Sequence, residues 1–295
     1  MYKYKQSIGG RIFDVFNVII ITAITFICLY PMVHVLMASL SSPSMLMKHE
    51  GLLLWPQGFH GAAYKAVLDN PDIYTGYMNT LVYVFAGTAV NVALTVVAAY
   101  VLSRKKFPFR NFFNFIVVLT MFVNGGMVPT YLTVKNVGLI DSRLALILPT
   151  AISAYNVILM RTYMSSIPAA LEESARIDGA SHFRVLLSVI FPLCKPIFAV
   201  ITLYYAVGNW NSWFNAMIYL NDRAKYPLQL FLREILILNE TNSLMNANDS
   251  GIEQIQISEN IKYATIIVST VPILCIYPFL QKFFVKGVMI GAVKE

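Results

Sequence analysis

Residues 77–102 run for 26 positions without an Asp, Glu, Lys or Arg. As an α-helix rising about 1.5 Å per residue, such a run reaches roughly 39 Å, more than the roughly 30 Å of hydrocarbon in a bilayer. Further low-charge apolar runs lie at 15–37, 111–134, 144–163, 194–220 and 263–283. The 144–163 run is short, but Arg143 and Arg161 flank or close it and can snorkel to the headgroups. Charged residues make up 13% of the chain, against about 25% in a soluble domain. The pattern predicts an all-α membrane protein of a single domain with six transmembrane helices. The first run is too long for the apolar part of a signal peptide and is expected to remain attached.

Charge sets the orientation. Fourteen Lys and Arg fall on the side that holds both termini, the 103–110 turn and the 161–195 interval, against eight on the other side. By the positive-inside rule both termini are cytoplasmic and the long connections, 38–76 and 221–262, face out. The net charge of +7 is spread over these turns rather than clustered on a polar domain, so nucleic acid is not the expected partner. Cys28, Cys194 and Cys275 lie far apart in or beside apolar runs and read as packing residues.

The interval 166–192 carries more chemical detail than a connection needs. Pro168 suits a first helical turn, with Ser165 and Ser166 as candidate caps, and Glu172 and Glu173 lie early in the helix where its dipole favours them. Asp178-Gly179 stops that helix, because Gly accepts the left-handed conformation of a C-terminal cap. Ser181 then caps a second helix in which Phe183, Leu186, Leu187, Ile190 and Phe191 recur on one apolar face. Two short helices broken at a Gly suit docking to a soluble partner; an ordinary amphipathic connection is the other reading.

Glu173, Ala175, Gly179 and Pro192 stand at the spacing of the EAA loop of binding-protein-dependent ABC importer permeases, with Ser174, Val189 and Phe191 replacing motif letters. The string LEESARIDGAS at 171–181 resembles the version in carbohydrate permeases of the maltose-permease MalG kind, in a Gram-positive branch serving oligosaccharides. AYVLSRKKFPFRN at 99–111, VPTYLTVKNVGLIDSRLALILP at 128–149, NWNSWFNAMIYL at 209–220 and the ending KGVMIGAVKE at 286–295 extend the resemblance over most of the chain. It implies a type I ABC importer permease fold in a bacterial plasma membrane. The implied partners are a homologous second permease, an ATPase dimer that binds ATP and Mg, and an extracellular sugar-binding protein. Glu172, Glu173, Ala175, Asp178 and Gly179 become the ATPase-coupling residues. The external loop 221–262 would enter the binding protein's sugar cleft, and the tail would add an ATPase contact.

The fifth run is chemically distinct. Asn209, Trp210, Asn211 and Trp213 are either an interfacial aromatic belt or a substrate pathway, where amides bond sugar hydroxyls and rings stack on sugar faces. Amides facing lipid are costly, which favours a polar interior.

No G-x-x-x-x-G-K-[ST] phosphate loop occurs, so ATP hydrolysis belongs to a separate subunit and the chain itself is not an enzyme. His49-Glu50 lacks the second histidine of a zinc-protease motif, and no catalytic or metal-binding set is legible. An ion-coupled secondary transporter would need ionisable groups at mid-membrane, and residues 77–102, 111–134, 196–220 and 263–281 contain no Asp, Glu, Lys or Arg. A non-transporting membrane scaffold is the remaining rival.

Overall fold

A computed structural model describes residues 8–245, 260–275 and 278. The tail at 286–295, the end of the sixth run and the middle of the 221–262 loop lie outside the described residues. Those described are helical, with one isolated bridge between Ser41 and Phe59 and no strand. Bilayer chemistry explains this economy, since a helix satisfies its own backbone where no water can.

The first helix, α1, spans Ile8–Ser39, and two short helices follow at Pro43–Leu46 and Ala62–Leu68. The second long helix, α2, spans Pro71–Ser103 and widens into a π turn at Tyr83–Gly87. Both are long and apolar enough to cross a membrane unaided. The most apolar window of α1 is unburied within the chain, and Phe26 and Ile27 stand largely exposed. Water would penalise that surface heavily, whereas lipid or an apolar partner would not.

The third run is two helices. Arg110–Phe122 (α3) and Met127–Asn136 (α4) meet at 114°. Gly125, Gly126 and Pro129 favour a break near the far end of this run, and Gly126 provides it with a φ of +89°, while its N–H bonds Asn124 Oδ1 at 2.9 Å. The fourth run is also interrupted. Leu144–Ile147 (α5) ends before Pro149, and Ser153 caps Ala154–Ser165 (α6) by accepting from the Asn156 N–H.

Ala169–Ile177 (α7) and His182–Leu193 (α8) form the corner read from the sequence, and Lys195–Trp210 (α9) leaves α8 at 89°. The fifth run breaks again at 211–213 before Phe214–Tyr219 (α10). The 221–262 connection is more ordered than a loop, since Leu228–Met245 (α11) starts within it. Asn260–Cys275 (α12) is a shorter apolar helix.

Two buried clusters organise residues 71–234. One joins Ala99 and Tyr100 of α2, Met160 and Met164 of α6, Val185 and Ile190 of α8, and Ile201 and Tyr205 of α9. The other joins Tyr83, Val134, Leu146, Tyr219 and Leu230. The chain divides into this compact unit, with the residues from 271 on, and a second unit of 1–70 with 235–270. Within the latter, Asn260 donates to the Ser41 carbonyl at 2.6 Å, and His34 packs edge-on to Tyr263.

Candidate functional site: the coupling corner and the broken fifth helix

The α7–α8 corner is set by backbone hydrogen bonds. The Ala180 N–H bonds the Ala175 carbonyl and the Gly179 N–H bonds the Arg176 carbonyl, both at 3.0 Å, with Gly179 at φ +82°. This paired closure of a helix end requires a left-handed residue, which glycine supplies without a Cβ penalty. Ser181 caps α8 by accepting from the Arg184 N–H, and Arg176 donates to His182 Nε2 across the corner at 2.8 Å. Ser165 and Ser166 do not cap α7. Their hydroxyls turn back onto the Arg161 and Tyr163 carbonyls, and Pro168 takes the N-cap position.

The five residues expected to couple fall on two sides of α7. Glu173, Asp178 and Gly179 are exposed, together with Ile177 at 87%. Ala175 packs against the core cluster of α2, α6, α8 and α9. Glu172 turns inward, its side chain only 12% exposed, to pair with Arg104 just beyond α2. Tyr100 donates to the other Glu172 oxygen at 3.3 Å, and Arg104 also donates to the Met164 carbonyl at 3.2 Å while its guanidinium lies over the Tyr100 ring. Glu172 therefore fastens α7 to the end of α2 rather than facing a partner. On α8, Val185, Leu186 and Ile190 are buried, whereas Phe183 and Leu187 of the expected inward stripe point outward at 67% and 49% exposure. A stripe of apolar letters does not say which part of it meets this chain and which meets another.

The fifth-run residues also separate. The Asn209 amide donates to Thr88 Oγ1 and Asn91 Oδ1 of α2, each at 3.2 Å, and Asn91 donates to the Thr150 carbonyl at 2.8 Å. A Cβ at Gly87 would sit 2.9 Å from that Asn209 amide, so this close approach depends on glycine. Trp210 is buried edge-on to Tyr77, and its indole N–H has no hydrogen-bond partner among the described residues. Asn211 is exposed as the C-cap of α9. Trp213, in the break, is covered on one face by Arg233 of α11. Asn209 thus ties two helices together, whereas Asn211, at the start of the break, is exposed.

A third constellation was not anticipated from the sequence. Asp141, at φ +58°, accepts from the Asn221 and Asp222 N–H groups at 3.1 Å and from Lys225 Nζ at 2.9 Å, while its own N–H bonds the Tyr219 carbonyl. The Lys225 bond, and then the two backbone donors, hold its carboxyl down at about 2. With the folded value depressed, the clamp's contribution is complete above about pH 4 and is lost as pH falls through about 2. Lys225→Met is expected to move that loss to higher pH, read as hydrogen-exchange protection of the Asn221 and Asp222 amides relative to wild type. Identical profiles would remove Lys225 from the clamp. Asp141 was legible only as part of a family-like string, because its partners lie some 80 residues away.

A family model described as "Binding-protein-dependent transport system inner membrane component" matches residues 91–290. The chain is 38% identical over 294 residues to "Protein LplC" of Bacillus subtilis (strain 168), covering 100% of this chain and 99% of that protein. It is 39% identical over 285 residues to the "Polygalacturonan/rhamnogalacturonan transport system permease protein YtcP" of the same organism, covering 97% and 99%. Among solved structures, a chain of a bacterial ABC transporter involved in the import of the acidic polysaccharide alginate superposes with a TM-score of 0.84 at 33% identity, covering 96% of this chain and 100% of that one.

Proposed function

This chain belongs to the family of binding-protein-dependent transport system inner membrane components, and from that premise we propose how its parts divide the work of import. It is a multi-pass plasma-membrane permease subunit of an ABC importer for carbohydrate, the cargo being an oligosaccharide. Six spans place both termini and the coupling loop 166–192 in the cytoplasm and the loop 221–262 outside. A homologous permease completes the pathway, a separate ATPase dimer binds ATP and Mg, and an extracellular binding protein delivers the sugar.

The observation that carries the coupling role is the two-sided build of α7. Its outer side offers Glu173, Ile177, Asp178 and the Gly179 corner to a partner. Its inner side is joined to α2 through Glu172–Arg104 and to α6, α8 and α9 through Ala175. A displacement imposed on α7 by the closing ATPase is therefore delivered to four helices together. The device is a rigid-body switch in which ATP favours one of two states and α7 transmits that preference.

Reconstitution of both permeases, the ATPase and the binding protein in liposomes tests this reading. ATP hydrolysis should require this subunit and rise when sugar-loaded binding protein is added. Uptake driven by an ion gradient without ATP would favour a secondary transporter, and unstimulated hydrolysis a scaffold.

A further inference from the structure

The break between α9 and α10 holds a cation that the rest of the described chain does not neutralise. Arg233, half-buried near the start of α11, places its guanidinium carbon 3.6 Å from the centroid of the Trp213 ring. Nearby Arg223 is paired with both Asp72 and Glu234, and Lys225 with Asp141 and Asp222. Among the described residues no carboxylate pairs with Arg233. A half-buried cation that no described carboxylate pairs with keeps an uncompensated desolvation cost, which a bound anion would offset. The backbone around Trp213 is equally unusual. Residues 211–213 interrupt a membrane run, and an irregular backbone at such depth is tolerated where it is packed in protein or lines a cavity.

The stacking also limits what can bind. With a guanidinium on one indole face and Phe214 edge-on at 5.4 Å, Trp213 has lost much of the surface a sugar ring would use. A guanidinium lying flat on a ring keeps its in-plane N–H donors available, and these match the two oxygens of a planar carboxylate. We infer that Arg233, positioned by Trp213, is a subsite for the carboxylate of a uronate unit, so that the transported oligosaccharide is acidic. This rests on the carbohydrate-import reading above and adds the chemical class of the sugar.

The test uses the reconstituted importer with its own binding protein, supplied with a short oligogalacturonate, its methyl ester, or maltotriose. Wild type is expected to import the acid in preference to the ester. In Arg233→Gln that preference should fall by about tenfold or more, as expected for losing a charge-assisted bidentate contact, with Arg233→Lys between the two. An unchanged preference in Arg233→Gln overturns the subsite. If that variant does not assemble, tryptophan emission of the wild-type complex decides. Oligogalacturonate should quench it more than the ester does, with the difference lost in Trp213→Phe, and an equal response to both probes overturns the proposal. Import of maltotriose as readily as the acid overturns the acidic class but leaves carbohydrate import standing, whereas import of none of the three overturns both.

Discussion

Gly179→Val is expected to reduce binding-protein-stimulated ATP hydrolysis and sugar uptake to near background while the protein still inserts into the membrane. Gly179 closes α7 at φ +82°, a conformation that costs an L-residue roughly 1–2 kcal/mol and a β-branched one the most. No atom of the described residues lies within 4 Å of where a Cβ would stand, so the penalty among them comes from the backbone and not from a clash. The series Asn, Ala, Val should therefore be graded, with Asn mildest because it tolerates the left-handed region best. Stimulated hydrolysis measured across the three variants checks this. Equal loss in all three would mean that a partner's surface excludes any side chain, and the backbone explanation would be wrong.

Arg104→Gln is expected to uncouple hydrolysis from uptake by a different route. The substitution leaves Glu172, 12% exposed, without its cation and removes a donor from the Met164 carbonyl. With Arg104 itself 18% exposed, the pair lies between a surface ion pair and a fully buried one, so its loss costs about 2 kcal/mol. That is a shift of roughly thirtyfold between the seated and released positions of α7. ATPase binding through the outer side of α7 should persist, while transport per ATP hydrolysed falls. Exchanging the charges, Arg104→Glu with Glu172→Arg, should restore part of the coupling. If each single variant transports normally, or if the exchange gives no recovery beyond additive losses, α7 is not held to α2 through this pair.

Much of the architecture could be read from residue types because lipid imposes a simple rule. Long runs without charge have to be helices, and the basic turns between them favour one orientation. The Gly179 corner was legible for a related reason, since few residues besides glycine satisfy a left-handed helix end. The break at Gly126 was foreseeable on the same grounds, though nothing local indicated an angle of 114°.

Partnership was not legible. Arg104 looks like one member of a basic turn, and only packing of α6 and α7 against α2 brings it to Glu172, 68 positions away. Asn209 and Trp213 belong to one polar aromatic string, yet the first is used in a bond between helices and the second in holding Arg233. Composition and periodicity determined that this chain is a helical membrane protein with a glycine-closed corner between two short helices, because those properties follow from each segment's own contact with lipid or water and its own backbone preferences. Which charges are neutralised inside the chain and which are left for a partner or a solute was decided only by tertiary structure, because an ion pair depends on the distance between residues that sequence separation does not supply.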